Sequence, residues 1–277
     1  MDFKMSRRPL YIKDNSLIYF EDFRNALEIV GVSRGDTLFV HSDIGVFGKL
    51  PGPDRESYLP KTLVQVLTEG VGLEGDIILP TFTYSFCKNE VFDVAKTRST
   101  VGALTEFFRK SENVIRSPQP IFSVACWGKN AEELADVSDD SFGTNSIFDK
   151  LYKKNGKILF FGAPFQSCTF VHYAEQSLGI PYRYMKKFSG IVRNQDKDIQ
   201  KEINYYVRRL DMDTLTNFSP LEGSLEQKGI LKRATVGGGE ILCVNSKDLF
   251  FETQRMLKED IFFLLKTRPQ GPVGASL

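Results

Sequence analysis

Histidine is nearly absent from this chain: two residues in 277, alongside four cysteines and a single tryptophan. The cysteines (Cys87, Cys126, Cys168 and Cys243) are widely spread and form no Cys-x-x-Cys spacing. That excludes a zinc-ribbon type of site and favours reduced thiols over a disulfide framework. No metal is expected. Long apolar runs are missing as well, since no segment approaches the ~20 apolar residues of a membrane span. The start, Met1 to Pro9, has basic residues with no uncharged apolar stretch behind them. A soluble, cytoplasmic protein with no membrane partner is the expectation. An excess of one charge is also lacking: 36 Lys and Arg balance 35 Asp and Glu, and the basic residues are scattered, so nothing suggests a nucleic-acid groove.

What is present is a globular composition, 42% hydrophobic with 23 Phe, enough for one well-filled domain or a domain with a small appendage. Short apolar runs at Asp36–His41, Asp76–Thr81, Ser123–Trp127, Lys157–Phe161 and Glu240–Val244 read as strands. Helical patterns lie between and beyond them, at Glu21–Val30, Leu59–Thr68, Ala103–Lys110, Asn145–Lys154, Thr169–Leu178 and Leu249–Leu265. The alternation predicts an α/β fold, a three-layer αβα sandwich, as a single domain over residues 1–277. Gly31–His41 and Gly70–Thr81 both pass through Gly-Asp into a strand, either as related βα entries or as two instances of a common turn. Residues 182–240 break the pattern and are expected to form a smaller, less regular lobe. Gly237-Gly238-Gly239 is either a phosphate cradle or, more simply, a turn.

The chemical lead is His172 with Glu175. On a helix a spacing of three puts imidazole and carboxylate on one face, where the acid can orient or polarise the base. The strand Gly156–Ala163 and the loop Pro164–Ser167 precede this helix, which places the pair at the carboxyl end of a strand, where open α/β sheets bind ligands. A second loop, Val40–Gly48, has a hydroxyl and two glycines at a strand end, as phosphate-binding loops do. It lacks the P-loop spacing, since Gly48-Lys49 is followed by Leu50, which leaves a coenzyme pyrophosphate or pantetheine arm as its partner. Ser99–Glu106 offers hydroxyls and free amides ahead of a helix.

In order, Val40–Gly48, Leu79–Thr83, Val101–Arg109, Arg116–Pro120, Ser123–Gly128, Phe142–Ser146 and the strand, loop and helix through Glu175 resemble the aminoglycoside 3-N-acetyltransferase family, over roughly residues 20 to 265. The resemblance implies the fold of that family and acetyl-coenzyme A as cosubstrate. It implies that His41, Ser42, Ile44 and Gly45 contact the coenzyme, with Thr100, Val101, Gly102, Ala103, Phe122 and Ser123 along the pantetheine path. It further implies that His172 is the catalytic base, supported by Glu175. Thr81, Thr83, Gln119 and Asp140 are expected on the acceptor side. Gln119 is a departure, standing where many members carry histidine, and it cannot take up a proton at neutral pH.

Net charge near zero does not suit capture of a polycation. The preferred acceptor is therefore a nucleotide-linked amino sugar of surface polysaccharide synthesis, with Arg183, Lys186, Lys187 or Arg193 as phosphate partners. The alternatives are aminoglycoside modification and, in another class, an inactive protein that binds coenzyme A or a sugar. A ping-pong route through Cys168, four residues before His172, ranks below direct transfer. A homodimer is expected by base rate alone.

Overall fold

The computed structural model describes residues 8–52 and 55–268. The chain opens with a small hairpin, β1 (Tyr11–Lys13) and β2 (Ser16–Ile18), followed by α1 (Phe20–Ile29), β3 (Thr37–Ser42), α2 (Arg55–Val71) and β4 (Asp76–Pro80). Next come the short pieces β5 (Phe92–Asp93), α3 (Ala103–Phe108), β6 (Ile115–Arg116), β7 (Val124–Gly128) and α4 (Ala131–Ala135). Then follow α5 (Ile147–Lys154), β8 (Lys157–Phe161), α6 (Val171–Leu178), β9 (Arg183–Asn194) and β10 (Lys197–Arg208). The chain ends in α7 (Ser219–Gln227), β11 (Lys232–Val236), β12 (Gly239–Asn245) and α8 (Ser246–Glu259).

A seven-stranded sheet in the order β11-β12-β8-β3-β4-β7-β6 forms the middle layer. Its centre is parallel, β3 pairing with β4 on one side and β8 on the other, and the strands beyond pair antiparallel. Side chains on a strand alternate between faces, so each central strand serves two cores. Leu38 and Val40 of β3, with Leu159 and Phe161 of β8, pack with α1, α2 and α3. Phe39 of β3, with Ile158 and Phe160 of β8, packs in the other core with α4 to α8. Three layers result, as the apolar alternation predicts. The chain leaves β3 for β4 on one side and later returns to β8 on the other, so the sheet opens a crevice at the carboxyl ends of β3 and β8.

Residues 182–240 correct the expectation of irregularity. Strands β9 and β10, twelve residues each, form a hairpin in register from Arg183↔Arg208 to Lys197↔Asn194, with β5 on the outer side of β9. Most positions on both strands are exposed or half-buried, so the hairpin needs little apolar patterning and its charged sequence does not read as strand. The same segment supplies α7 and the edge strand β11 of the main sheet. Gly237-Gly238-Gly239 is the β11–β12 turn, and its choice of glycine is steric. Gly237 has φ +57, a Cβ there would lie 2.2 Å from the Phe47 carbonyl oxygen, and the Gly238 amide donates to that same oxygen. With that amide spent on Phe47, the triplet is a clamp on the loop after β3 rather than a phosphate cradle.

Several helix boundaries differ from the periodicity. The helix carrying His172 starts at Val171, after a 3₁₀ turn at Phe165–Ser167, and stops at Gly179, whose φ of +63 reverses the chain. α3 stops at Phe108, and α8 stops at Glu259, beyond which Leu265 turns back to bridge Thr216.

Candidate active site

His172 projects from the second position of α6. Its Nδ1 lies 2.6 Å from Oε2 of Glu175, one turn on, which is fully buried while the His172 side chain keeps 19% exposure. Because Gly179 folds the chain back, Tyr182 and Arg183 return to the same carboxylate: the Tyr182 hydroxyl donates to Oε1 at 2.8 Å, and Arg183 Nε sits 2.7 Å from Oε2. Burial opposes a charge on Glu175, but the Arg183 guanidinium, with His172 and Tyr182, outweighs it and holds the carboxyl below its ordinary value. Burial first, and the Arg183 charge second, push the His172 imidazole below its ordinary value, against the pull of Glu175. At neutral pH the pair is therefore an ionised carboxylate and a neutral imidazole. The Nδ1–H donates to the carboxylate, which leaves the Nε2 lone pair as the basic site.

Aromatic rings surround that nitrogen's side of the cleft. Phe142 stands edge-on to His172 at 5.4 Å between centroids and Phe218 lies at 6.2 Å. Phe142 continues into Phe122 at 4.8 Å and Tyr205 of β10 at 5.9 Å, and Phe122 touches Phe82 and Tyr84. In the other direction, Phe142, Phe148 and Phe39 lead ring by ring to His41, which stacks on Phe160 at 5.4 Å and 18°. The two histidines thus lie on the same layer of the molecule.

At the end of β3, His41 Nε2 and Ser42 Oγ are buried and have no hydrogen-bond partner. Burial holds the His41 imidazole down at about 3, so it is neutral and keeps hydrogen-bonding capacity unspent. Ile44 and Gly45 follow in a loop fixed by Tyr11, whose hydroxyl donates to the Ile44 carbonyl at 2.8 Å, and by Asp43, which accepts from the Gly45 amide at 3.1 Å. The second coenzyme segment comes to the same place, since a Cβ on Gly102 would lie 3.7 Å from the Ser42 carbonyl oxygen. Thr100 is anchored through its hydroxyl to the Phe82 carbonyl at 2.9 Å, and the Val101 amide donates to Ser99 Oγ. An open groove of about 800 Å³ runs along Ser99, Thr100, Gly102 and Ala103, with Arg98 and Lys110 on its rim.

Four other predicted residues are not on an open surface. Thr81 and Ser123 are fully buried, their hydroxyls 3.0 Å apart, and Arg116 donates to both. Thr83 is buried and donates to the Pro120 carbonyl at 2.7 Å. Gln119, 4% exposed, accepts from the Ile121 and Phe122 amides at 2.7 Å each and donates to Ser141. These side chains brace the turn that presents Phe122, and the polar groups of Ser123, Thr81, Thr83 and Gln119 have partners within the fold. Phe122 itself is 3% exposed and acts as packing between Phe82 and Phe142. Asp140 remains half-buried near the dyad, accepting from the Gly143 amide at 2.9 Å and from Gln176 at 3.0 Å. Cys168 is 1% exposed and its thiol is pushed up to about 12 by burial, which leaves no thiolate for a ping-pong step. Among the described residues no cluster of His, Cys, Asp or Glu could hold a metal, and no helix is long and apolar enough to cross a membrane.

The model of the aminoglycoside 3-N-acetyltransferase family matches residues 39–258, which span both the β3 loop and the dyad. The chain belongs to the aminoglycoside 3-N-acetyltransferase family. Among curated relatives, the aminoglycoside N(3)-acetyltransferase VII of Streptomyces paromomycinus is 23% identical over 90% of this chain and 92% of its own length. The SPbeta prophage-derived aminoglycoside N(3')-acetyltransferase-like protein YokD of Bacillus subtilis (strain 168) is 26% identical over 64% of this chain and 71% of its own. The fold is that of solved members: AAC-IIIb binary with CoASH superposes with a TM-score of 0.74 at 20% identity, over 90% of this chain and 98% of that one. The family is one of N-acetyltransferases with acetyl-coenzyme A as cosubstrate. Sequence reasoning missed Tyr182 and read Arg183 as a phosphate partner and not as a neighbour of the dyad. Their signal was positional, because Gly179 and Pro181 after a short helix force the next residues back onto it.

Proposed function

We propose that this chain transfers the acetyl group of acetyl-coenzyme A directly to an amine of an aminoglycoside, with His172 as general base. The observation that carries the reading is the neutral His172 whose Nδ1 is held by buried, ionised Glu175 at 2.6 Å, inside the span that the family model covers. The residues fit the coenzyme: His41 and Ser42 carry unspent polar atoms, the Ser42 backbone adjoins Gly102, and the groove along Gly102 is also lined by Arg98 and Lys110, which both face Glu106. The bound thioester supplies an acetyl group activated for attack by nitrogen. His172 Nε2 removes the proton that an attacking amine must lose and can return it to the coenzyme A thiolate released as the C–S bond breaks, with Glu175 steadying the imidazolium in between. The rings of Phe142 and Phe218 pack against the imidazole, and its side chain keeps enough exposure for an acceptor to reach it.

The preference for a nucleotide-linked sugar loses its support. Of the cations expected to hold phosphate, Arg183 is buried against Glu175, Lys187 is paired with Glu202, Arg193 is paired with Asp198, and Lys186 lies over the Phe188 ring. Near-zero net charge describes the whole surface and not the cleft, where the titrating partners of the base are local. The complete dyad also favours an enzyme over a binding-only protein. Thiol release from acetyl-coenzyme A with a panel of aminoglycosides, and in parallel with nucleotide-linked amino sugars, tests the proposal. Turnover on aminoglycosides is expected; turnover confined to nucleotide sugars would reverse the acceptor, and silence with both would remove the reading.

A further inference from the structure

The start of β9 places a third charged side chain on the dyad. Arg183 has a side chain only 6% exposed and reaches three partners: Nε lies 2.7 Å from Glu175 Oε2, one terminal nitrogen donates to the Tyr206 carbonyl at 3.3 Å, and the other is 3.5 Å from His172 Nε2. The arginine is fixed from behind as well, because the Tyr206 hydroxyl donates to the Ile180 carbonyl and the Arg209 amide to the Tyr182 carbonyl. A guanidinium so held presents charge to both sides of the imidazole at once, a geometry that a flexible ammonium does not reproduce.

We infer that Arg183 is a positioning residue for the transfer: its guanidinium clamps the Glu175 carboxylate on His172 Nδ1 and faces Nε2 with positive charge, disfavouring a proton there before the acceptor amine arrives. This rests on the reading of His172 as base. Two effects separate in the geometry. On the carboxylate side, Arg183 lets Glu175 stay ionised in full burial, so that the imidazole is fixed as the Nδ1–H tautomer. On the Nε2 side, a cation within 3.5 Å opposes a second proton. The groups around His172 are few. Glu175 is on its own helix, Tyr182 and Arg183 are on the return segment, and the Tyr205 and Tyr206 phenols are on β10. Phe142 and Phe218 are uncharged. The cation of Arg183 is therefore the one positive group in contact with the ring among the described residues, and Glu175 the one negative group.

Two histidines in the chain make the test direct. Labelled imidazole carbons are followed by NMR from pH 4 to pH 8 in the wild type, Arg183→Lys and Arg183→Met, with kcat and KM measured over the same range. His41 is buried and held at about 3, so His172 is the signal that titrates in this window. The wild-type midpoint is expected below the ordinary ~6.5 of histidine, and Arg183→Met should raise it by about one pH unit or more. Arg183→Lys keeps the charge and should hold the midpoint near the wild type, while its kcat falls because one ammonium cannot reach Glu175, the Tyr206 carbonyl and the His172 ring together. In Arg183→Met the acid limb of kcat should move up with the midpoint, with KM for acetyl-coenzyme A little changed. An unmoved midpoint in folded Arg183→Met overturns the inference, as does a wild-type midpoint at or above 6.5. Should Arg183→Met fail to fold, the inference is overturned by a wild-type midpoint at or above 6.5 or by an Arg183→Lys enzyme whose kcat matches the wild type. The titration reads the ring itself, so an active His172→Ala enzyme would end the base assignment without altering what the midpoints say of Arg183.

Discussion

Nδ1 of His172 lies 2.6 Å from Oε2 of Glu175, and the carboxylate that accepts this hydrogen bond is 0% exposed. A buried acceptor with no water to compete fixes the imidazole in one tautomer, which leaves Nε2 as its basic atom. Replacing His172 by Ala removes the base and nothing on the β3 side of the cleft. The kcat should fall about 10²- to 10⁴-fold, the usual contribution of a positioned base. The dissociation constant for coenzyme A, measured by calorimetry, should stay close to the wild-type value. Turnover near the wild-type rate would remove His172 from the chemistry.

Glu175→Gln separates orientation from charge. A glutamine oxygen can still accept from Nδ1, so activity should fall less than in His172→Ala. The same change leaves the Arg183 guanidinium buried with its anion gone, and removing one partner of a buried pair costs about 3 to 5 kcal/mol. Denaturant unfolding should therefore show a large loss of stability alongside partial activity. A variant as stable as the wild type would mean that the Arg183 contact contributes little in solution.

Cys168→Ser tests the discarded thiol route. The residue is 1% exposed among Phe170 and Val171 on the core side, and its thiol is pushed up to about 12. The serine variant should retain most of its kcat, and no acetylated enzyme should appear by intact-mass spectrometry after exposure to acetyl-coenzyme A. Loss of transfer in a folded variant, together with a stable acyl adduct on the wild type, would revive the nucleophile.

The three layers and the His172 lead were legible because they rest on local pattern. Runs such as Leu38–Val40 and Ile158–Phe161 are apolar on both faces, as strands between two helical layers must be. The β9–β10 hairpin was not legible, because a ribbon with most side chains in solvent has no burial pattern to display, and its register is a fact of pairing, not of composition. At the site, residue type misled where it stood in for accessibility. Thr81, Thr83, Ser123 and Gln119 have the polar groups that a ligand would need, but those groups are committed to Arg116, Pro120, Ser141 and backbone amides. Arg183 misled the other way: its charge suggested a phosphate, and its place in the fold gives it a carboxylate.

Gly162 offers a test of the β3 loop that touches no proposed ligand contact. It follows β8 with φ +80, and a Cβ there would lie 2.2 Å from the Asp43 carbonyl oxygen. Gly162→Ala must push the Asp43–Phe47 loop away from β8, carrying Ile44 and Gly45 with it, and it also forces alanine into a left-handed conformation. Weaker coenzyme binding and lower stability are expected, with the pH dependence of kcat unchanged because the atoms that the new Cβ would meet belong to Asp43, Val46 and Phe47 and not to the dyad. Unchanged coenzyme affinity would show that this loop does not form the coenzyme site.

Acid stability depends on the second histidine. His41 is held at about 3 in the folded chain by burial alone, against ~6.5 when unfolded, so between these values the unfolded state binds the extra proton. Its contribution to stability is fully present above pH 6.5 and is lost as pH falls toward 3, with a slope of up to about 1.4 kcal/mol per pH unit. His41→Gln removes the titrating group while keeping a polar side chain at the strand end. Unfolding free energies at pH 7.5 and pH 4.5 should then differ by about 2 to 3 kcal/mol less in the variant than in the wild type. Contributions from His172 and from the carboxylates are common to both proteins and cancel in that comparison. Equal losses in the two proteins would mean that His41 takes up its proton in the folded state, and the unpartnered Nε2 beside Ser42 would then be open to water.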